Sequence, residues 1–278
     1  MYKAPRRRRI NKKRLVVLAT LVLLCGIFGI GLSRLLSSQA EEDPYPRLTV
    51  TSPYPTSTPR ATAKATPKPT ATPDTVNLPK SFSTEMAFTS QATHAIWDSL
   101  AKETCEEASA LMAQWWVLGK QGEKSEKVQN RIPPDTARAQ LVEITEWEEK
   151  TFGFHLDTTA AQTLRFLQEK LGVKNSKLTT DITARSLKEE LVKGNIIILP
   201  LAGRRLNNPY FTPPGPPYHN LVVRGYDERG FITNDPGMNT KGENYMYPED
   251  VLISAVHDWT GNPDTIEQGQ KIGIIVGK

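Results

Sequence analysis

The sequence predicts an α+β domain over residues 81–278, preceded by a transmembrane helix and an extended linker. Three observations predict this organisation. A basic amino terminus leads into an apolar run, a segment rich in proline and threonine follows it, and helical patterns precede strand patterns in the remainder. Because helices grouped before strands are typical of α+β domains, we expect a helical first half and an antiparallel sheet in the second half.

The distribution of charge excludes one class of function. The chain has 35 basic and 30 acidic residues, but nine of the basic residues lie in residues 1–40, which contain no acid. Residues 41–278 therefore carry 26 basic and 30 acidic groups, a net charge of −4. The basic balance of the whole chain belongs to its amino terminus, so the sequence gives no support for nucleic-acid binding by the folded part.

The amino terminus predicts a single membrane span. Residues 1–14 form a basic tail, and Leu15 to Leu32 are eighteen residues without a charge. A span needs about 20 apolar residues, and a basic flank stays on the cytoplasmic side. We therefore expect a cytoplasmic tail over residues 1–14, a transmembrane helix over residues 15–33, and a carboxy-terminal domain outside the cell membrane.

A cleaved signal peptide is the alternative interpretation of this region. The sequence Ser38-Gln39-Ala40 resembles a small-x-small cleavage site. However, the apolar run is longer than that of most signal peptides, and Arg34 interrupts its exit. These two features favour an uncleaved anchor.

Residues 34–80 predict an extended linker. From Glu41 to Lys80 the chain is dominated by Thr, Pro, Ser and Ala and contains almost no residue that could form a core. At about 3.1 Å per residue in polyproline-type conformation, such a segment reaches on the order of 100 Å. This length suits a stalk that crosses a cell-wall layer. The alternative, which the composition favours, is a disordered spacer with no partner of its own.

Four helices are predicted in the first half of the domain. The first follows Thr104, where Thr104 and Glu107 match a capping box, and it ends before Gly119. The third begins with a second capping box, Thr159 and Gln162. Apart from the first, the predicted helices are residues 135–150, 159–171 and 183–193, of which the last two end before glycines.

Strands are predicted in the second half. Short apolar or alternating runs indicate them at residues 196–199, 219–226, 231–234 and 271–276. Between the first two lies Ala202 to Tyr218, which is too rich in proline for regular structure. A loop of this length inside a compact domain indicates a function.

Cys105 is the candidate nucleophile. It is the only cysteine outside the apolar run, which holds Cys25, so the domain has no partner for an internal disulfide. The positive end of a helix favours a thiolate at such a position. Glu106 and Glu107 oppose this effect, so activation requires an additional cation. The alternative is a small buried cysteine that packs a helix.

The register of one predicted hairpin determines whether the side chains of His219 and Asp235 lie on the same face of the sheet. Its turn, DERG, has Asp first and Gly last, as a type I turn followed by a left-handed glycine prefers. If Asp227 pairs with Phe231, Asp235 faces Val223. Side chains alternate along a strand, so His219 lies on the same side as Val223. A two-residue loop would put His219 and Asp235 on opposite faces.

Together these residues supply a nucleophile, a base and an orienting carboxylate for acyl transfer through a thioester. Each has an alternative. Asp235 precedes Pro236-Gly237 and could be a turn residue, and three other histidines compete with His219. The four histidines are dispersed and show no paired ligand spacing, so the sequence indicates neither a metal site nor a cofactor.

Four segments resemble the C39-like peptidase family, a branch of the papain-like cysteine peptidases. The resemblance runs from about Met86 to the carboxy terminus. Its motifs occur in the expected order and are Thr89-Ser90-Gln91-Ala92, Cys105-Glu106-Glu107-Ala108-Ser109 through Met112, His219-Asn220-Leu221-Val222-Val223-Arg224-Gly225-Tyr226 and Asn234-Asp235-Pro236.

The resemblance implies a papain-like fold and a role for each site residue. Cys105 would be the nucleophile, His219 its base and Asp235 the orienting group, while Gln91 would donate a hydrogen bond to the oxyanion. The sequence departs from the family where members often have Cys-Gly-Pro and this chain has Cys-Glu-Glu. It also lacks the phosphate-binding loop GxxxxGK[ST] of the transporter-fused members, so peptide processing coupled to export is not supported.

We therefore predict a membrane-anchored extracytoplasmic cysteine hydrolase that cleaves a peptide or cell-wall peptide without a cofactor. Two alternatives from other classes are a non-catalytic surface module of the same fold, which binds peptides or wall polymer, and a structural stalk protein.

Overall fold

The structure, a computed structural model, describes residues 77–278. The predicted basic tail, the predicted span and all but the last four residues of the predicted linker lie outside this range. Among the helices of residues 77–278, none combines the length and the apolar character that a bilayer crossing requires.

A seven-stranded sheet forms the centre of the described domain. Its order is β2-β7-β3-β4-β5-β6, with β1 paired to the far end of β4, and every pairing is antiparallel. This agrees with the predicted α+β class. The strands are β1 (Phe82–Ser83), β2 (Ser176–Thr179), β3 (Ile196–Ala202), β4 (Tyr218–Asp227), β5 (Gly230–Asn234), β6 (Tyr245–Tyr247) and β7 (Gly273–Val276).

Helices cover both faces of this sheet. Ile196 and Ile198 of β3 pack with the first three long helices, whereas Ile197 and Leu199 pack on the opposite side with the last two helices. A strand buried on both faces reads as a continuous apolar run, which is how β3 was predicted. The helices are α1 (Ser99–Lys102), α2 (Cys105–Val117), α3 (Pro134–Phe152), α4 (Ala160–Glu169), α5 (Ala184–Val192) and α6 (Glu249–Ala255), with 3-10 turns at Gly203–Leu206 and Pro263–Gln268.

The four predicted helices are present with boundaries shifted by a few residues. Thr159 and Gln162 form the predicted capping box, and Gly119, Gly172 and Gly194 follow their helices in left-handed conformation. The separation into a helical half and a sheet half is incomplete, since β2 lies between α4 and α5 and α6 lies between β6 and β7.

The predicted capping box at Thr104 is wrong. Helix α2 begins after Thr104, but the threonine makes no side-chain cap, and its Oγ1 atom has no hydrogen-bond partner among the described residues. The reason is tertiary: the carboxyl group of Glu107 lies against that of Glu148 on α3. The carboxyl group of Glu107 is therefore turned away from the start of α2.

The predicted hairpin register is also wrong, although its consequence holds. Asp227 pairs with Gly230 across a two-residue loop, one residue earlier than predicted. A β-bulge at Arg224 then inserts an extra residue into β4. The two shifts add to two residues, so the alternation between the strands is again the predicted one, and His219 and Asp235 meet after all.

Candidate active site

A buried pair, His219 and Asp235, lies at the open end of the hairpin. His219 is the second residue of β4 and Asp235 follows the last residue of β5. The Nε2 atom of His219 lies 2.7 Å from Oδ1 of Asp235, and the side chains are 2% and 0% exposed. A carboxylate bonded to one ring nitrogen orients the imidazole and leaves Nδ1 for other chemistry.

Two further donors hold the Asp235 carboxylate. The backbone N–H of Gly237 donates to Oδ1 at 2.9 Å, and the hydroxyl of Tyr247 donates to Oδ2 at 2.7 Å. Because the first bond spans two residues, Asp235 is the turn residue that the sequence left as an alternative. It is also the partner of His219, so the two interpretations are compatible.

Packing fixes the ring of His219 in place. The ring of Phe211 lies edge to face against it, with centroids 5.2 Å apart and an angle of 76° between the planes. On another side, a Cβ atom at Gly237 would lie 2.9 Å from Cε1 of His219, which leaves no room for a side chain there.

Cys105 occupies the predicted position as the first residue of α2. Its side chain is buried, and its thiol donates a hydrogen bond to Oε2 of Glu106 at 3.0 Å. The structure thus records a His219–Asp235 pair and a Cys105–Glu106 pair. The catalytic triad of Cys105, His219 and Asp235 stays a prediction.

The predicted thiolate at Cys105 is not what the surroundings favour. Burial raises the pKa of the Cys105 thiol well above its ordinary value, and the charge of Glu106 raises it further. From the sequence we expect the helix terminus to favour the thiolate, Glu106 and Glu107 to oppose it, and an additional cation to activate the thiol. Burial adds a desolvation penalty that the sequence does not indicate. These surroundings favour the neutral thiol over the thiolate.

A cluster of carboxyl groups surrounds this thiol. Burial raises the pKa of Glu106 well above its usual range, with a further contribution from Glu107. Burial followed by the charge of Glu103 raises the pKa of Asp157 to about 7. Protonated carboxyl groups are favoured here because several of these groups share one desolvated region.

Hydrogen bonds connect the carboxyl cluster to β4. Oε1 of Glu106 accepts from the backbone N–H of Thr158 at 2.9 Å, and the hydroxyl of Tyr218 donates to the carbonyl of Thr158 at 2.8 Å. Tyr218 directly precedes His219. The chain of contacts therefore links the start of α2 to the start of β4.

Gln91 lies between the two halves of the site. Its backbone N–H donates to the carbonyl of Pro236 at 3.0 Å, next to Asp235, and its side-chain Nε2 donates to the carbonyl of Ala101 at 2.7 Å, four residues before Cys105. An amide nitrogen carries two hydrogens, so a second donor remains on Nε2. The oxyanion role of Gln91 stays a prediction.

The other histidines have different partners. His94 pairs with exposed Asp135 at 3.1 Å, His155 pairs with Glu149, and Nδ1 of His257 lies 3.1 Å from the carbonyl of Ala255. Of the four histidines, which all fall within the described residues, His219 is the one whose ring contacts a fully buried carboxylate. Within residues 77–278, no group of three or more His, Cys, Asp or Glu side chains is arranged to hold a metal ion.

Sequence reasoning missed several supports of the site. Tyr247 comes from β6, a three-residue strand that the pattern of the sequence did not indicate. Phe211 and Asn208 come from the proline-rich loop after β3, which the sequence did mark as functional. Glu148 lies on α3, and its proximity to Glu107 had no local signal.

An α+β fold with a cysteine at a helix start and a buried His–Asp pair defines the class of papain-like cysteine peptidases. The chain belongs to the Peptidase_C39 like family, a family of cysteine peptidases, whose model matches residues 83–260. All four predicted site residues fall within this match.

Among solved structures, the chain is similar to a C39-like peptidase from Bacillus anthracis. The two chains are 14% identical, with a TM-score of 0.39, and the similarity covers 70% of this chain and 98% of the other. Comparison with curated proteins finds no significant match.

Proposed function

We propose that this chain is a membrane-anchored extracytoplasmic cysteine hydrolase that cleaves peptide or related amide bonds. Cys105 is its nucleophile, His219 its base and Asp235 the group that orients the base. The observation that carries the proposal is the 2.7 Å contact between His219 and Asp235, both buried, in a member of a cysteine peptidase family.

The reaction follows from the hydrogen bonds of the imidazole. With Nε2 bonded to Asp235, Nδ1 of His219 takes the proton of the Cys105 thiol as the sulfur attacks the carbonyl carbon of the substrate. The tetrahedral oxyanion accepts the second N–H of Gln91. Collapse expels the amine, which takes the proton from Nδ1 and leaves a thioester on Cys105.

Water completes the cycle. His219 removes a proton from a water molecule, whose oxygen attacks the thioester carbonyl, and the second tetrahedral intermediate expels the Cys105 sulfur. The sulfur recovers its proton from the imidazole. The net reaction is hydrolysis of one amide bond to a carboxylic acid and an amine.

The thiol must leave Glu106 for this reaction to start. Since it donates to Oε2 of Glu106 and its pKa is raised, the side chain of Cys105 turns toward Nδ1 of His219 as a neutral thiol. Proton transfer then accompanies the attack on the substrate. An ion pair formed in advance is not required.

The location of the domain and its substrate class rest on the sequence. The apolar run at residues 15–33 anchors the chain, and the linker at residues 34–80 carries the domain away from the membrane. A peptidase held on such a stalk encounters peptides and cell-wall peptides, which we propose as its substrates.

The test is hydrolysis of a mixture of linear peptides and wall-derived peptides by the full-length chain in membranes. Cys105→Ala should abolish hydrolysis while changing the free energy of unfolding by no more than about 1 to 2 kcal/mol. Cys25→Ala is the matched control and should retain wild-type turnover. Hydrolysis that survives in Cys105→Ala would refute the nucleophile.

A second candidate function is supported by the raised pKa of Cys105 and its bond to Glu106. A non-catalytic module of the same fold that binds peptides needs no reactive thiol. In that case an epoxysuccinyl peptide would not label Cys105 in the folded Cys25→Ala chain. Peptides would also bind to Cys105→Ala with the same affinity as to the wild-type chain.

A further inference from the structure

A chain of buried hydrogen bonds continues beyond the His219–Asp235 pair. Nδ2 of Asn208 donates to the hydroxyl oxygen of Tyr247 at 2.6 Å, and the Tyr247 hydroxyl donates to Oδ2 of Asp235 at 2.7 Å. Asn208 is 8% exposed and Tyr247 is 2% exposed. The carboxylate therefore lies between His219 and two residues that have no part in the proposed reaction.

The direction of each bond in this chain is determined at its outer end. Oδ1 of Asn208 accepts the backbone N–H of Tyr210 at 2.9 Å, so the amide cannot be reversed without loss of this bond. An amide nitrogen can only donate. Tyr247 thus accepts from Asn208, and its single hydrogen must go to Asp235.

The direction of these hydrogen bonds also bears on which nitrogen of the His219 imidazole carries the proton. Burial and then the charge of Asp235 raise the pKa of Tyr247, so its hydroxyl remains a donor. Asp235 then accepts on both oxygens, from Tyr247 on Oδ2 and from Gly237 and His219 on Oδ1. A carboxylate that accepts from Nε2 requires the proton of the neutral ring to be on Nε2.

We propose that Asn208 and Tyr247 are positioning residues that keep the proton of neutral His219 on Nε2 and leave Nδ1 as the base. For its effect on catalysis this inference rests on the proposed function. Its effect on the tautomer of His219 is independent of any reaction.

The same inference gives the proline-rich loop a function. This loop, residues 203–217, carries both Asn208 and Phe211, and the N–H of Phe211 donates to the carbonyl of Asn208 at 3.1 Å. One short segment therefore supplies the outer end of the hydrogen-bond chain and the aromatic face against the His219 ring. The loop supports the base from two directions.

Tyr247 also packs in the core, so the test must separate packing from proton position. Tyr247→Phe keeps the ring and removes the hydroxyl. Asn208→Asp offers Tyr247 an acceptor in place of a donor, and so draws the hydroxyl hydrogen away from Asp235. Tyr245→Phe is the matched control, because it removes a hydroxyl from the same strand that is not a partner of Asp235.

The readout is the ¹⁵N spectrum of histidine in the full-length chain, labelled only at its four histidines and recorded where the ring of His219 is neutral. The His219→Ala spectrum assigns the signal. Wild type and Tyr245→Phe should show hydrogen on Nε2, whereas Tyr247→Phe and Asn208→Asp should show a mixture of both tautomers. In parallel, kcat should fall about tenfold with KM unchanged, the effect of one hydrogen bond to a charged group.

Each outcome decides the matter. An unchanged tautomer in Tyr247→Phe, or in Asn208→Asp if the first variant does not fold, overturns the inference, as does a wild-type ring with its hydrogen on Nδ1. A shifted tautomer in a chain that hydrolyses no peptide supports the inference and counts against the proposed function. Rescue of kcat and of the tautomer in Asn208→Gln would strengthen it.

Discussion

The carboxyl groups of Glu107 and Glu148 face each other in the interior, where no other residue within 77–278 donates a hydrogen bond to any of their four oxygens. Two carboxylates cannot bond to each other, but a carboxylic acid can donate to a carboxylate. At least one of the two groups must therefore be protonated for them to lie together. Burial raises the pKa of both, and the charge of Glu148 raises that of Glu107 further, so the protonated forms are favoured in the folded protein.

This pair predicts that stability falls as pH rises. Burial raises the pKa of Glu148 from 4.5 to about 8, so the folded protein holds a proton that the unfolded chain has lost. The stabilisation is complete below about pH 4.5 and is lost as pH rises through about 8, by up to about 1.4 kcal/mol per pH unit for each proton. Glu148→Gln should flatten this slope and increase stability at pH 8.

Urea unfolding of the full-length chain between pH 5 and 9 measures this effect. Glu146→Gln is the matched control, because Glu146 lies on the same helix with its side chain exposed. It should keep the wild-type slope. A Glu148→Gln variant with an unchanged slope would show that Glu148 does not hold the extra proton of the folded protein.

Glu106→Gln should increase the reactivity of Cys105. The substitution removes a carboxyl group whose charge, once it ionises, raises the pKa of the thiol, while the amide oxygen of the new side chain can still accept from the N–H of Thr158. Each unit by which the thiol pKa falls gives about tenfold more thiolate at a fixed pH below it. The rate of iodoacetamide alkylation across pH 7 to 10, measured in a Cys25→Ala background, reports this shift.

The control for this experiment is again Glu146→Gln, which removes the same charge at an exposed position. Its alkylation profile should match that of the background chain. An equal profile for Glu106→Gln would mean that burial alone determines the state of the thiol.

Gly237→Ala should disable the base without unfolding the domain. A Cβ atom there would lie 2.9 Å from both Cε1 of His219 and Cε1 of Phe211, and 3.2 Å from Oδ1 of Asp235. The imidazole must therefore move, and a displacement of about 1 Å costs on the order of 10²-fold in rate. Circular dichroism and kcat on the same preparation separate the two effects.

Gly153→Ala is the useful comparison for Gly237→Ala. Its added methyl group meets no atom within 4 Å, but its φ of 84° is unfavourable for alanine. We expect a loss of about 1 kcal/mol in stability and normal turnover. Equal turnover in both variants would show that the ring is not held by its surroundings.

Local patterns predicted the elements of this fold better than the contacts between them. The capping box at Thr159 formed because both of its residues lie in one turn of helix with no competing partner. The capping box at Thr104 did not form because the carboxyl group of Glu107 lies against that of Glu148, which is forty-one residues later in the chain. The raised pKa of Cys105 has the same origin, since burial is a property of the assembled fold.

The hairpin shows that a predicted strand register can be wrong while the predicted proximity of two side chains is right. Nothing in the sequence around Arg224 indicated a bulge, so the predicted register differs from the observed one. The expectation that His219 and Asp235 share a face survived because two single-residue shifts restore the alternation of a strand. Strand β2 was missed because Ser-Lys-Leu-Thr has only one apolar residue and pairs at the sheet edge.

Topology gives a prediction for the part of the chain outside the described residues. If residues 15–33 span the membrane with the basic tail inside, protease added to intact cells should digest the chain after Ser33 and leave residues 1–14 protected. Tags at the two termini, followed by immunoblotting, distinguish the ends. Protection of the carboxy-terminal tag would overturn the assignment.

The last prediction concerns whether His219 and Asp235 act as one unit. Asp235→Asn keeps the shape of the side chain, but its amide can no longer stabilise the imidazolium, and the comparable change in a serine triad lowers kcat about 10⁴-fold. His219→Ala should be at least as damaging. Because an orienting group has nothing to orient once the base is gone, the double variant should be no worse than His219→Ala alone. A double-mutant cycle on kcat/KM, with thermal unfolding of each variant as the check on folding, measures this coupling. Losses that simply add would show that the 2.7 Å contact between these residues is structural and that Asp235 serves only its turn.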